Sequence, residues 1–371
     1  MECAWGALRA LYNEASICRL LDVPSVSHLQ VSQLPRYWER LEAENSYAAL
    51  AVAFWLLRRP VRRHQLVELV GEAMFGRLRE WGFITLSDDV VSAEVDLYPC
   101  LGDLIFTDMA MAYTDFANDH VYELGSDSYL LSYLTPRRPG AKALDLCTGS
   151  GLHAIQSARV YAESVGVDLN PRALRFAAIN AEVNGVGCRW LQGDLYAPVE
   201  GQQFDLITIN PPFVPTPDEE LHLHRGGGPS GEDISRRAVE GVPRFLAPGG
   251  TFSMILDFPV MRDSSYLERL RAWLGGPAGW GVALLNFGRH DLETYIQSHL
   301  APHHGEEMRA RYRESYRRQG IEHVEVGNVF IRRLPPDHPG VAVERVRTQP
   351  TEPIQGEVEA WLGSSFPLTE E

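Results

Sequence analysis

The chain has 371 residues, of which 45% are hydrophobic and 22% charged, a composition that excludes a disordered or fibrous protein. Its length suits two domains or one enlarged α/β domain. Because 49 acidic residues outnumber 34 basic ones, the formal net charge of −15 works against binding a long polyanion. Nucleic acid is therefore disfavoured as a partner, although it is not excluded.

The sequence contains no segment that we expect to enter a membrane or to be exported. Its longest apolar run, residues 47–57, is about half of the roughly 20 residues that cross a bilayer. The first residues lack the basic, apolar and small-residue order of a signal peptide. The five cysteines are far apart and form no CxxC pair, which argues against disulfides and a zinc site. We expect a cytoplasmic protein without a membrane partner or a bound metal.

Residues 1–115 predict an N-terminal helical domain that helps to recognise the substrate. Apolar residues recur there at helical spacing in three segments, at 4–21, 33–42 and 46–57. A helix over 63–81 is then predicted, and two short strands follow around residues 87–89. Helices followed by a hairpin are the order of a winged helix.

A dense basic cluster, RRPVRRH at 58–64, lies within this region. Winged helices often read DNA, so DNA binding by the N-terminal domain has to be considered. The region as a whole is acidic, however, and a solvated turn between two helices is the favoured interpretation.

From about residue 143, short apolar strands alternate with helices, which predicts a doubly wound, mainly parallel α/β sheet of the Rossmann-like kind. We place this domain at 116–334. A helical stretch at 291–319 precedes the last strand, where it forms either a substrate wall or a solvated helix pair. Residues 335–371 predict a Pro-rich C-terminal extension with one short helix near 357–362.

The segment DLCTGSG, residues 145–151, lies between a predicted strand and a predicted helix. Its glycines allow a tight turn and let a ligand approach the main chain and the helix N-terminus. With Ala154 they also fit the GxGxxA pattern of dinucleotide sites, so a nicotinamide cofactor is an alternative. The candidate cofactor-binding residues of this loop are Asp145, Cys147, Thr148, Gly149 and Gly151.

Carboxylates follow the next two strands as well. Asp168 can accept hydrogen bonds from ribose hydroxyls, in a nicotinamide site or in an S-adenosylmethionine site. Asp145 stands where a dinucleotide site usually has an apolar residue, and a carboxylate there suits a ligand with an ammonium group, which favours S-adenosylmethionine. Asp194 is placed to accept from an adenine amino group, between leucines that suit the ring faces. The candidates after these strands are Asp168, Leu169, Asn170, Asp194 and Leu195.

The motif NPPF, residues 210–213, directly follows the predicted strand FDLITIN. Two successive prolines have no N–H donors and cannot continue a ladder, so their carbonyls stay free to accept. The side-chain oxygen of Asn210 and the carbonyl of Pro211 can together accept both hydrogens of a planar NH2 group, while Phe213 stacks on its flat face. We therefore predict Asn210, Pro211, Pro212 and Phe213 as catalytic residues, and Asn210 also as a contact of the cofactor.

In this order and spacing, DLCTGSG, VDLNP, GDL and NPPF resemble the motifs of class I S-adenosylmethionine-dependent methyltransferases, in the amino-methyltransferase group with (N/D)PP(Y/F). That group includes HemK-like glutamine methyltransferases and guanine or adenine N-methyltransferases of RNA. The resemblance covers about residues 116–334 and implies S-adenosylmethionine as cofactor and in-line methyl transfer to a planar nitrogen. It also implies a cofactor contact from GSDSYLL before the first strand, which makes Asp127 a candidate.

The methyl acceptor stays open among a protein side-chain amide, an RNA base and a small molecule. A DNA-binding regulator with a ligand-sensing domain would not need the NPPF device, and an oxidoreductase would need an acid such as a Tyr-x-x-x-Lys pair, which the single lysine, Lys142, cannot supply. The glycine-rich loop at 222–233 predicts a mobile lid. Two histidine pairs, His222 with His224 and His303 with His304, are expected to be solvated rather than to bind a metal.

Overall fold

The N-terminal region begins with four helices. In the computed structural model, which describes residues 2–110, 119–217, 225–300 and 305–366, they are α1 (Glu2–Leu11), α2 (Glu14–Leu21), α3 (Leu34–Glu44) and α4 (Tyr47–Trp55). Nearly every residue of α4 is buried, since it is apolar on all sides. It therefore packs with its apolar surface against α2 and α3.

A winged-helix unit follows, as the sequence predicts. It consists of β1 (Val61–Arg62), α5 (Arg63–Val70), α6 (Glu72–Trp81), β2 (Ile84–Ser87) and β3 (Val90–Ala93). The three strands pair antiparallel in the order β1-β3-β2. The single helix predicted at 63–81 is in fact two helices, because Gly71 takes a φ of 80° and ends the first of them.

Three elements connect this unit to the central sheet. They are the hairpin strands β4 (Asp96–Cys100) and β5 (Asp103–Thr107), which pair antiparallel, and the helix α7 (Ser126–Leu134).

The central sheet has eight strands, and its doubly wound α/β character is the predicted one. Its strands are β6 (Gly140–Leu146), β7 (Tyr161–Asp168), β8 (Arg189–Gln192), β9 (Phe204–Ile209), β10 (Leu246–Met261), β11 (Trp280–His290), β12 (Ile321–Arg333) and β13 (Val341–Val346). They lie in the order β13-β11-β12-β10-β9-β6-β7-β8. From β10 to β8 all neighbours are parallel, whereas β12 runs antiparallel between β10 and β11.

Seven further helices accompany these strands in the described residues: α8 (Leu152–Ala158), α9 (Pro171–Asn184), α10 (Asp233–Phe245), α11 (Tyr266–Trp273), α12 (Leu292–His299), α13 (Glu306–Gln319) and α14 (Gln355–Ser365). The stretch predicted as helical at 291–319 contains α12 and α13. The short helix predicted at 357–362 lies within α14, but β13 was not predicted. It is a short edge strand in which no residue is buried and three of the six are exposed, so it lacks the apolar pattern of the others.

The N-terminal region shares one apolar core with the central sheet's helices. The core runs from Trp5 through Phe106 to Phe176 on α9. Two asparagines of α9 extend this contact. Their side-chain amides form hydrogen bonds with the main-chain N–H and carbonyl groups of β5, in the way that the main chain of a neighbouring strand does. Asn184 pairs with both the N–H (2.9 Å) and the carbonyl (2.8 Å) of Leu104, and Asn180 does the same with Phe106 at 2.8 and 2.9 Å.

This shared core bears on how the chain is divided. Because the contacts across residue 115 are extensive, we propose residues 115 and 334 as boundaries of segments of the chain and not of independently folding domains. Among the described residues, no helix combines the length and the hydropathy needed to span a bilayer.

Candidate active site

A cavity of about 390 Å³ opens at the carboxyl ends of β6, β7 and β9. This is the switch point of the sheet, where chain connections leave in opposite directions and ligands of α/β folds bind. Most of the residues predicted from the sequence line it: Asp127, Cys147, Thr148, Gly149, Asp168, Leu169, Asn170, Asp194, Leu195, Asn210, Pro211, Pro212 and Phe213. Asp145 and Gly151 are not among its lining residues.

Asp168 is positioned by the glycine loop at the tip of β7. Its two carboxylate oxygens accept from the backbone N–H groups of Gly149 (2.8 Å) and Asn170 (2.9 Å). Burial raises the pKa of Asp168, and these two backbone hydrogen bonds oppose the rise. Each oxygen keeps a second lone pair, so the carboxylate can still accept from ligand hydroxyls in the cavity.

Asp145 has a different position from the one that the sequence suggested. It is only 2% exposed, and its oxygens accept from the hydroxyls of Thr148 (2.6 Å) and Thr208 (2.8 Å). Burial raises its pKa to about 6. The carboxylate thus joins the glycine loop to β9 from behind the cavity instead of facing a ligand's ammonium group.

Gly151 also serves packing. A Cβ at this position would lie 2.8 Å from the Cβ of Ala177 on α9 and 2.9 Å from the ring of Trp190. The residue also has a φ of 87°, a conformation that favours glycine. Its small size therefore lets α8 begin close against α9, while Gly149 is the glycine of this loop that borders the cavity.

The residues after β7 and β8 divide between ligand-facing and structural positions. Leu169 lines the cavity with 48% of its surface exposed, which is unusual for a leucine. The apolar face of a bound ligand would cover this surface. Asn170 caps α9, with its side chain accepting from the N–H of Arg172 (2.9 Å) and donating to the carbonyl of Asp119 (2.7 Å). Asp194 forms a half-exposed ion pair with Arg237 at 2.6 Å.

The NPPF motif begins where β9 ends at Ile209. The side-chain amide nitrogen of Asn210 donates to a carboxylate oxygen of Asp127 at 3.0 Å. This bond orients the amide, because the opposite orientation would set two oxygens against each other. The other amide atom, Oδ1 of Asn210, is buried and has no hydrogen-bond partner among the described residues.

Asp127 is itself held in place at the start of α7. Its second oxygen accepts from the backbone N–H of Ser128 at 2.8 Å. Burial raises the pKa of Asp127, and the hydrogen bond from Asn210 opposes this. Asp127 therefore acts on Asn210, a role that the sequence did not indicate, since the resemblance pointed only to the cofactor.

The cavity also contains residues that the sequence did not single out, namely His120, Tyr122, His153, Arg225 and His299. Two of these carried a signal: Arg225 lies in the glycine-rich loop at 222–233 that was predicted as a lid, and His299 lies in the helical stretch at 291–319 for which a substrate wall was one of two expectations. His299 is the last residue of α12. One residue of this stretch thus lines the cavity, and a substrate wall formed by the stretch stays a prediction.

The predicted lid is only partly described. Gly226 of this loop forms a parallel bridge to Val214, which directly follows the NPPF motif, and the N–H of Val214 is bonded to the carbonyl of Arg225 at 2.9 Å. His222, His224, His303 and His304 lie outside the described residues. Within the described ranges, no group of three or more His, Cys, Asp or Glu is arranged to hold a metal ion.

Comparison with known proteins agrees with this geometry. A family model for the "Methyltransferase small domain" matches residues 116–258. The chain is 35% identical over 170 residues to a putative protein N5-glutamine methyltransferase of Methanocaldococcus jannaschii, covering 44% of this chain and 83% of that protein.

Two bacterial relatives match over shorter parts. A release factor glutamine methyltransferase of Geobacter sulfurreducens is 38% identical over 31% of this chain and 45% of its own length. A ribosomal protein uL3 glutamine methyltransferase of Neisseria meningitidis is 37% identical over 38% of this chain and 52% of its own length. This chain thus spans about half the length of these two relatives.

The sheet order, the glycine loop and the NPPF segment define a class I methyltransferase. The chain belongs to the HemK-like amino-methyltransferases of that class, and it is an N-methyltransferase.

Proposed function

We propose that the protein uses S-adenosylmethionine to methylate the side-chain amide nitrogen of a glutamine in a protein acceptor. The observation that carries this proposal is the buried, unpartnered Oδ1 of Asn210 at the cavity wall among the described residues. An unpaired buried acceptor costs about 1–3 kcal/mol, so a protein retains one chiefly where a ligand completes it.

The residues at the strand tips fit the cofactor. Asp168 offers carboxylate oxygens to the ribose, and the exposed Leu169 offers an apolar surface to the adenine. Gly149 lets a ligand approach the main chain near Asp127 and Asn210. When bound, S-adenosylmethionine supplies a methyl group that is already activated by its sulfonium charge.

The chain's own task is then to align the acceptor nitrogen. A primary amide carries two hydrogens, and Oδ1 of Asn210 and the carbonyl of Pro211 are two acceptors on one short segment. No described residue donates to that Pro211 carbonyl in the structure. Accepting both hydrogens orients the amide plane and increases electron density on its nitrogen. The methylated nitrogen then loses one proton to solvent water, because neutral carbonyl oxygens are too weakly basic to keep it.

Phe213 adds a flat apolar wall that excludes water from the acceptor amide. Phe213 lines the cavity beside Asn210 and also packs against two apolar clusters, so its ring is fixed as a flat wall for the amide. Orientation of this kind is worth up to about 7–11 kcal/mol of a barrier in favourable cases. A strong general base is not needed at this wall.

Two features favour a protein acceptor over RNA. The three relatives described above bear names that specify glutamine or protein glutamine methylation. The formal net charge of −15 also opposes a phosphodiester chain. We further propose Thr148, Cys147, Asn170, Asp194 and Leu195 as lesser contributors to the cofactor pocket.

A direct experiment incubates the purified protein with methyl-labelled S-adenosylmethionine and a fractionated lysate. Label in the protein fraction, released as methylamine by acid hydrolysis, is the result that the proposal requires. Label confined to RNA or to small molecules would contradict it.

A further inference from the structure

The end of the cavity where the methyl acceptor would bind carries one hydrogen-bond donor and one hydrogen-bond acceptor that have no part in methyl transfer itself. They are Arg225, in the segment bridged to Val214, and His299, at the end of α12. Both line the same cavity as Asn210 and Phe213. His299 lies beyond residues 116–258 that the family model matches, on the helix between two strands of the central sheet.

The positions of both side chains follow from packing around Phe213. The carbonyl of Arg225 accepts from the N–H of Val214 at 2.9 Å, which places Arg225 beside the NPPF segment. On the other side, Tyr295 and Ile296 of α12 form an apolar cluster with Val214, and Phe213 packs against this cluster. The two residues thus border the flat wall where the acceptor amide would lie.

The protonation of His299 is fixed by its surroundings. Its Nδ1 lies 2.9 Å from the carbonyl oxygen of Tyr295, which can only accept, so Nδ1 carries a hydrogen. Burial lowers the pKa of His299 to about 4, and the nearby Arg225 and His290 add to this. The ring is therefore neutral at pH 7, and its Nε2 presents a lone pair that no described residue occupies.

Arg225 is the opposite case. Its guanidinium has five N–H donors and forms no ion pair or hydrogen bond with any side chain of the described ranges. Most arginines of this acidic chain are paired with a carboxylate, as Arg237 is with Asp194. Among the described residues, Arg225 therefore keeps its donors available to a ligand at the cavity wall.

We propose that Arg225 and His299 bind the main chain of the acceptor polypeptide, with Arg225 donating to a peptide carbonyl and Nε2 of His299 accepting a peptide N–H. This rests on the proposed function and adds how the acceptor is selected. A peptide bond offers one acceptor and one donor, which complements this pair. A phosphate offers only acceptors, and its oxygens would face the lone pair of His299.

The test uses synthetic peptides with a central glutamine and randomised flanks, from which the best substrate is chosen. In its depsipeptide analogues, one peptide bond beside the glutamine is replaced by an ester, which removes a single N–H. With the wild-type protein, we expect one ester position to lower kcat/KM about tenfold, the scale of one neutral hydrogen bond. With His299→Phe, the peptide and that depsipeptide should become equally good substrates.

Arg225 is tested on the peptide that lacks the ester. Arg225→Met should raise KM about tenfold, and Arg225→Lys should restore part of the loss. Arg79→Met, at an exposed position of α6, is the matched control and should change nothing. Circular dichroism and an S-adenosylmethionine Kd within twofold of wild type show that each variant folds.

The possible failures can be told apart. If the wild-type protein methylates no glutamine peptide, the proposed function fails and this inference fails with it. If it methylates peptides but the ester costs the same in wild type and in His299→Phe, only the binding of the main chain by His299 is overturned. An unchanged KM for Arg225→Met likewise overturns the role of Arg225.

Discussion

Asn210 and Asp127 are 83 residues apart in the chain, yet the amide nitrogen of Asn210 lies 3.0 Å from a carboxylate oxygen of Asp127. This contact fixes which atom of the Asn210 amide faces the cavity. It links the tip of β9, where the acceptor would bind, to the start of α7, which approaches from the segment before the sheet. The orientation of the Asn210 amide, which would hold the acceptor nitrogen, thus depends on a residue outside the NPPF motif.

Replacing Asn210 tests whether its side-chain oxygen holds the acceptor amide. Asn210→Ala removes the oxygen that would accept from the substrate amide, and we expect kcat to fall by about two orders of magnitude, as for loss of one positioned polar group in other active sites. The Kd for S-adenosylmethionine, measured by calorimetry, should stay within a few-fold. A parallel loss of cofactor affinity would show that Asn210 supports the cofactor instead.

Asp127→Ala tests the positioning role of Asp127. The Asn210 amide could then rotate, so kcat should fall about tenfold or more while KM for the acceptor changes less. In the double variant with Asn210→Ala, removing Asp127 should cost little more, because its effect acts through Asn210. Single-turnover kinetics of the four proteins measure this coupling, and additive effects would contradict it.

Asp168→Ala should weaken S-adenosylmethionine by about 2–3 kcal/mol, since a charged hydrogen-bonding partner is lost. Asp205 is the matched control. It too accepts from two backbone N–H groups, of Ala141 (2.7 Å) and Lys142 (2.9 Å), but it is not among the residues that line the cavity. Asp205→Ala should therefore leave the Kd unchanged, and an equal loss in both variants would assign Asp168 a structural role only.

Asp145 makes a prediction about pH. Its pKa is about 6 in the folded protein against an ordinary 3.8, so the folded state binds its proton more tightly than the unfolded state does. The resulting stabilisation is complete below about pH 4 and is lost as pH rises through 6. Relative to Asp145→Asn, the wild-type protein should therefore lose about 2 kcal/mol of unfolding free energy between pH 4 and 7.

Urea denaturation of the two proteins across this pH range measures that difference. Comparing the pair cancels the titration of all other groups. A difference that stays constant with pH would show that the Asp145 carboxylate titrates normally.

The asparagine pairing between α9 and β5 predicts a strong effect on folding. Asn180→Ala leaves the buried N–H and carbonyl of Phe106 without these partners, at an expected cost of about 2–4 kcal/mol of unfolding free energy. Glu182→Ala, two residues along the same helix, breaks only an exposed ion pair with Arg77 and should cost less than about 1 kcal/mol. Equal effects in urea denaturation would show that the pairing adds nothing to the shared core.

The sheet could be predicted because its strands contain short, continuous apolar runs. The length of these runs and their lack of helical spacing distinguish strands from helices. Most of the residues that the sequence offered as cofactor contacts line the cavity, since they follow the strand ends directly, and their contact with the cofactor stays a prediction. The prediction from the sequence failed at Asp145 and Gly151, because residue type at a strand end does not reveal whether a side chain points toward the cavity or behind it. The break at Gly71 was missed because helical spacing continues on both sides of it.

Contacts between segments that are distant in the chain could not be predicted from the sequence, for a different reason. The approach of Asp127 to Asn210, and of α12 to Phe213, depends on how whole elements pack. A single sequence carries no signal for such pairs when the residues are common polar types. The acceptor end of the site therefore became visible only in the structure.

We propose above all that Asn210 presents to a planar amide on a protein an acceptor oxygen that no described residue occupies. The most direct measurement is transfer of labelled methyl groups to lysate proteins by the wild-type protein and by Asn210→Ala, followed by acid hydrolysis and quantification of labelled methylamine. We predict methylamine from the protein fraction with the wild type and almost none with the variant. Label found as a carboxyl ester or in nucleosides, or methylamine formed equally by both proteins, would contradict the claim.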